Sequence, residues 1–244
     1  MAGCLSMATV AEAGLIGFYT FDDGTATDLS GNGNNGTLGA GANMPTFTAS
    51  GYENGALSYD GSDFVSLPID INPSTLPSLT MGAWVNADAL GSRETILSHD
   101  NAGFDRTLTM DDRGTSPGYS AFTGSGVGFG GAATVGLWQF VAVVYDGTTV
   151  TIDVDGVRTS YADTTGAGFT TTYIGYNPGF PLETFNGTID NVFLYDMALS
   201  GAELDAIRRG GAAAIMPSNV PEPATIGLLG VGVLALAMLR RRRS

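Results

Sequence analysis

The chain has 244 residues, 14% of them charged, with 24 acidic against 10 basic side chains and a formal charge of −14. A chain this acidic lacks the basic face that phosphate-backbone binding requires, so nucleic acid is excluded as a partner. One Cys (Cys4) and one His (His99) exclude an intrachain disulfide framework, a Cys-rich zinc site and any multi-His metal centre.

Residues 1–13 are mildly apolar and end on Ala11-Glu12-Ala13, an A-x-A-like cleavage site. They lack a basic n-region and are short for a signal peptide, so they read as a partial leader whose true start lies upstream. From 15 to about 197, short strand-like runs are separated by clusters of Gly, Asn, Asp and Pro. Strands are predicted at 15–21, 56–60, 64–67, 79–86, 95–99, 106–110, 119–123, 138–145, 149–154, 157–161, 172–176 and 188–195. Alternation places Val150, Ile152 and Val154 on one face and Thr149, Thr151 and Asp153 on the other. Asp146-Gly147 and Asp155-Gly156 lie between β-rich runs, and Asp-Gly tolerates the positive φ angles of a type I′ turn. Residues 138–161 are therefore predicted to form a three-stranded antiparallel meander. Many short strands and almost no helical period argue for one all-β unit, a sandwich or a barrel.

The convincing helix comes late. Ser200 and Glu203 form a capping box, Leu204 and Ile207 an apolar face, and Gly210 the stop. Residues 211–219 read as a small-residue linker. The chain closes with Val220, Pro221, Glu222 and Pro223, an uncharged run over 224–239, and the block Arg240, Arg241, Arg242 and Arg243. As a helix the run covers ~24 Å at ~1.5 Å per residue, somewhat short of the ~20 residues usual for a membrane span. The positive-inside rule keeps the four Arg in the cytoplasm. The residues alone read as a C-terminal membrane anchor.

The tetrad, the Gly- and Leu-rich apolar run and the Arg block together resemble the PEP-CTERM sorting signal of Gram-negative bacteria, here 220–244. The resemblance implies an exosortase-type enzyme as partner, transient residence in the inner membrane through the helix at 224–239, and release to the cell surface or extracellular matrix. Five phrases in order carry a second resemblance. They are Phe18-Tyr19-Thr20-Phe21-Asp22 with the loop 28–36, Ala56-Leu57-Ser58-Tyr59-Asp60-Gly61, Leu79 to Val85, Trp138 to Gly147, and Phe185 to Val192 with Tyr195, Leu199 and Ser200. They are similar to the laminin-G-like type of concanavalin A-like domain. The implied fold is a two-sheet antiparallel jelly-roll sandwich over 14–210, with one short C-terminal helix.

The loop 28–36 is the candidate site. Asp28, Ser30 and Asn32 offer oxygens at alternate positions, with Asn35 beyond, and Gly33 permits a sharp turn. Hard oxygens without soft donors suit Ca²⁺, yet Gly39 stands where an EF-hand places its bidentate Glu. Calcium-binding members of the resembled family use this loop with the Asp of the closing strand, which implies Asp190. The other reading is a Gly/Asn turn held by side-chain-to-backbone hydrogen bonds. Trp84 and Trp138 read as core residues; Tyr173, Tyr176 and Phe180, near Asn177-Pro178-Gly179, read first as a packed turn and second as candidates for exposed contacts; and His99 reads as a surface or strand-end residue. The six Glu, at 12, 53, 94, 183, 203 and 222, include no pair arranged for glycoside hydrolysis. The expected function is thus non-catalytic: an exported domain that binds extracellular polysaccharide or another glycan with structural Ca²⁺. The alternatives are a structural or adhesive matrix protein that contacts other proteins, and a divergent polysaccharide-degrading enzyme. Without the two ends, residues 14–219 carry 22 acidic and 6 basic side chains, a charge of −16 that would repel a free polyanion.

Overall fold

Fifteen strands alternate with turns along a computed structural model that describes residues 14–91, 93–114 and 117–216. The leader-like segment 1–13, the sorting tetrad, the apolar run and the Arg block lie outside the described residues. The larger sheet has eight strands in the order β13 (Val157–Ala162), β12 (Thr149–Val154), β11 (Gln139–Tyr145), β6 (Leu79–Ala87), β15 (Asn186–Tyr195), β4 (Ala56–Asp60), β3 (Thr46–Thr48). Its eighth, β1 (Leu15–Tyr19), pairs with the second half of β15, while β4 pairs with the first half. The smaller sheet runs β10 (Val127–Ala132), β9 (Gly118–Phe122), β8 (Thr107–Asp111), β7 (Arg93–Ser98), β14 (Thr172–Ile174), β5 (Val65–Leu67), β2 (Thr37–Leu38). Every pairing is antiparallel, and the jelly-roll sandwich expected from the sequence is the architecture.

The main core fills the space between the sheets with residues such as Leu57, Val85, Ile96, Leu108, Tyr119, Val143, Ile152 and Ile189. Each such side chain contributes ~1.5–3 kcal/mol by leaving water. The predicted alternation on β12 holds, with Val150, Ile152 and Val154 in this core. A second apolar layer lies on the outer face of the larger sheet, where Trp84, Phe140, Phe193 and Tyr195 are covered by two helices. The first, α1 (Gly201–Gly210), starts at the predicted capping box: the Ser200 N–H donates to Glu203 Oε2 at 2.7 Å and the Glu203 N–H to Ser200 Oγ at 3.4 Å. Its stop is Gly211 at φ 59°, one residue beyond the predicted Gly210.

Three sequence readings change. The meander exists, and the turn at Asp155 (φ 52°) and Gly156 (φ 90°) has the two positive φ angles of type I′. At Asp146 the connection is wider and only Gly147 is left-handed, because the Asp146 carboxylate accepts from both main-chain N–H groups and both hydroxyls of Thr148 and Thr149. The supposed linker from 211 begins as a folded element: α2 (Ala212–Ile215) buries Ile215 in the outer apolar layer. The third concerns β10, where three of six residues are Gly and no strand is expected. A Cβ at Gly128 would stand 2.5 Å from the Tyr161 ring, and one at Gly130 2.7 Å from Ile152. Glycine lets the edge of the smaller sheet close down on β12 and β13.

Candidate functional site

The loop 28–36 is tied to the main chain of β1. Asp28 Oδ1 accepts from the N–H groups of Phe18 (3.0 Å) and Ser30 (2.9 Å), and Oδ2 from Ser30 Oγ (2.9 Å) and the Asn34 N–H (2.9 Å). A carboxylate has about four lone-pair sites, and four donors occupy them. Asn35 Oδ1 accepts from the Asp28 N–H, while Asn32 and Asn34 donate their amides to the carbonyls of Leu15 and Ile16. Ser30 Oγ accepts from the Asn32 amide at 3.0 Å. The loop is therefore a strap for an edge strand, and the oxygens of Asp28 are turned to protein donors rather than left for a cation.

Asp190 stands elsewhere. Phe18 directs its N–H to Asp28 and its carbonyl to Leu29, away from β15, so β1 separates Asp28 from Asp190. None of the partners of one carboxylate is a partner of the other. Asp190 is fully buried where the register of β15 against β6 slips. Its Oδ2 accepts from the Glu53 N–H at 2.9 Å, the main-chain N–H groups of Asn191 and Tyr52 also favour the carboxylate, and Oδ1 has no well-aligned hydrogen bond of its own. Burial, with the Asp22 carboxylate adding like charge, pushes the Asp190 carboxyl up to about 7. Phe21, Asn54 and Asn191 around this corner all adopt left-handed φ angles, of 58°, 56° and 49°. Non-glycine residues take that conformation at a cost, so the corner is held by its surroundings. Glu53 Oε2 in turn accepts from the Ala212 N–H (2.7 Å) and from the Asn191 amide (3.1 Å), which clamps α2 to the same corner. Among the described residues no three His, Cys, Asp or Glu side chains gather as a metal cage. Asp190 Oδ1, with the Asp22 carboxylate near it, is the buried carboxylate oxygen that this corner leaves without a well-aligned hydrogen-bond donor.

The outer face of the smaller sheet carries aromatic side chains. Tyr173 on β14 pairs across to Ser66 and Ser98, while its neighbour Ile174 faces the core. Phe64, Tyr173 and Tyr176 form a trio with ring centroids 5.5–5.9 Å apart, all half-buried. Beside them the turn at Asn177 is locked, its amide donating to Asp100 Oδ2 and Glu183 Oε2. Glu183 also pairs with Arg93 at 3.2 Å, and Phe180 and Leu182 project into solvent. At the far end of the face, Phe129 floors a groove of about 330 Å³ lined by Gly114, Pro117, Gly118, Gly130, Gly131 and Ala132. Arg113, ion-paired to Asp111, lies over the rings of Phe104 and Phe122 at 5.6 and 5.5 Å. Phe64, Phe129 and Arg113 carry no sequence motif; the outward phase of Tyr173 along β14 is the signal that points to this face.

Trp84 is buried as expected, but in the outer layer, where Tyr52 stacks on it with centroids 4.8 Å apart. Trp138 is half-buried against Tyr52. His99 directly follows the end of β7, as a strand-end residue, but is fully buried rather than at the surface, with Nδ1 2.9 Å from the Phe169 carbonyl.

No curated protein matches the chain. Among solved structures it is similar to domain 4 of AbnA, a GH43 extracellular arabinanase from Geobacillus stearothermophilus, in complex with arabinotriose (TM-score 0.62, 20% identity, 84% of this chain and 100% of that one). It is also similar to the binding domain of Paraclostridial Mosquitocidal Protein 1 (TM-score 0.64, 13% identity, 81% of this chain) and to the botulinum neurotoxin serotype D binding domain (0.59, 14%, 82%). It spans 52% of each of those two chains. At such identities the likeness is one of fold. Residues 219–243 match the PEP-CTERM protein-sorting motif, which marks export by way of a membrane-anchored intermediate. Residues 59–205 match the concanavalin A-like lectin/glucanases superfamily, and the chain belongs to that family.

Proposed function

We propose that this is an exported, non-catalytic domain that binds a neutral or calcium-bridged glycan at the cell surface or in the extracellular matrix of a Gram-negative bacterium. The observation that carries the reading is the half-exposed trio Phe64, Tyr173 and Tyr176 on one sheet face. A sugar ring offers an apolar C–H face that stacks on aromatic rings, and its hydroxyls meet the phenol groups and Ser66. The likeness to a domain solved with arabinotriose supports the same reading. Glycoside hydrolysis needs two free carboxyl groups about 5–9.5 Å apart across the bond. In the turn that leads to Phe64, Asp60 accepts from Ser62 and Asp63 from the Asp60 N–H, so neither is poised for that work.

Structural Ca²⁺ is assigned to the Asp190 corner, with Asp22 as the second carboxylate, rather than to Asp28. A cation there would neutralise a buried charge that the fold otherwise leaves half-partnered. An exosortase-type enzyme would recognise Val220, Pro221, Glu222 and Pro223 and release the domain from its anchor. A second reading, contact with a protein partner, draws on Leu182, 95% exposed beside Phe180 on the same face.

A glycan array probed in calcium and in chelator tests the proposal. Tyr173→Ala and Phe64→Ala each remove about 1 kcal/mol of stacking and are expected to weaken binding roughly fivefold with the fold intact. Glycan binding that survives both changes, or no glycan binding at all, would overturn it.

A further inference from the structure

The end of the domain that leads to the sorting motif carries a patch of apolar and aromatic side chains. Tyr52 is 38% exposed, Val135 45%, Leu137 58% and Met216 43%, with Trp138 half-buried between them. Contacts link Tyr52 to Trp138 and, through Glu53 and Ala212, to Met216, while Val135 and Leu137 lie just before Trp138 in the chain. Tyr52 meets Trp138 edge-on at 6.2 Å, its neighbour Glu53 accepts from the Ala212 N–H, and the Ala212 carbonyl accepts from the Met216 N–H. On a chain of charge −14, no Asp, Glu, Lys or Arg occurs from Gly114 through Tyr145, so the stretch holding Val135, Leu137 and Trp138 is neutral. The Glu53 carboxylate beside it faces inward, to Ala212 and Asn191, and the exposed carboxylates of Asp88 and Asp155 stand at its margin, Asp155 accepting from the Phe140 N–H.

The chain beyond Met216 sets what this patch meets. Seven residues, three of them Pro, separate Met216 from the apolar run that begins at Ala224. Fully drawn out, they reach about 25 Å at ~3.1–3.6 Å per residue. A domain of this size is roughly 40 Å across, by the scaling of radius with chain length. While the apolar run sits in a bilayer, the tether is too short for the domain to turn over. The face holding Met216 therefore cannot point away from the membrane, and aromatic side chains with a polar edge suit the headgroup region.

We infer that Tyr52, Leu137 and Trp138 form a membrane-facing surface, which seats the domain on the lipid headgroups while the precursor is anchored and is uncovered when the domain is released. Its partner is a lipid surface, distinct from the glycan face on the opposite sheet.

The test uses the full chain with Cys4→Ser and a single environment-sensitive fluorophore on Leu137→Cys or on Leu182→Cys. Both sites are exposed, so labelling leaves the core untouched. Each protein is reconstituted into phosphatidylethanolamine/phosphatidylglycerol vesicles, and flotation reports the anchor separately. The expected result is a blue shift and loss of aqueous quenching at position 137 but not at 182. Tyr52→Ser and Trp138→Ser in the Leu137→Cys chain should diminish the shift while the protein still floats. A chain that floats with equal, water-like emission at both positions would overturn the inference, and a chain that does not float would overturn the anchor reading with it.

Discussion

Replacing Asp190 by Asn isolates a buried carboxyl whose ionisation the fold opposes. The Asp190 carboxyl is held at about 7 by burial and the nearby Asp22, against an ordinary value of 3.8. In the native state it keeps its proton at pH values where the unfolded chain has lost it. The native state therefore binds more protons between those values, and stability falls as pH rises. This contribution is fully present below about pH 4 and is lost as pH rises through about 7. At 1.36 kcal/mol per pKa unit, the loss approaches about 4 kcal/mol in the absence of a cation. The side-chain amide of the Asp190→Asn variant keeps an acceptor for the Glu53 N–H and carries no charge. Denaturant unfolding of both proteins in chelator, from about pH 4 to about pH 8, measures the difference and cancels every other titrating group. Near pH 4 the two should agree, and at the alkaline end the variant should be the more stable by up to about 4 kcal/mol. Calcium should raise the midpoint of the parent but not of the variant. A difference that does not change with pH, or a variant less stable at the alkaline end, would refute the assignment.

Asp28→Ala removes the acceptor of four donors and should cost about 3 kcal/mol, since donors to a charged group are left unpaired, without weakening any calcium response seen by calorimetry. Gly130→Val places a side chain where Ile152 stands 2.7 Å from the Cβ position, and should lower the unfolding free energy by about 2 kcal/mol in urea titrations. Burial lowers the affinity of His99 for a proton, and its Nδ1 is joined to the Phe169 carbonyl. The unfolded chain then binds more protons below its ordinary value of about 6.5, so stability is lost as pH falls through and below that point. Proton NMR should show the native imidazole still neutral where a free His is half-protonated.

Elements whose cause is local were legible in the sequence. Alternation fixed the faces of β12, Asp155-Gly156 its turn, and Ser200 with Glu203 the start of α1. What escaped depends on partners far along the chain. β10 reads as a glycine-rich loop until Tyr161 and Ile152 are seen against its backbone. Asp28 shows ligand-like oxygens in sequence, but the donors that claim them come partly from β1. Asp190 was singled out in the sequence only through resemblance, and the Glu53 N–H that binds it lies 137 positions away. Tyr173 and Tyr176 were visible as candidates, and Phe64 joins them only because β5 and β14 pair. Gly211 closes α1 where Gly210 was expected because Glu53 sits 2.1 Å from its Cβ position and admits no side chain.

That the smaller sheet presents a glycan-binding face is tested most directly by crystals grown with calcium and soaked in the best neutral oligosaccharide from the array. Saccharide density is expected to stack on Phe64, Tyr173 and Tyr176, with any cation at Asp190. Saccharide bound instead on the larger sheet, or at the loop that holds Asp28, would contradict it.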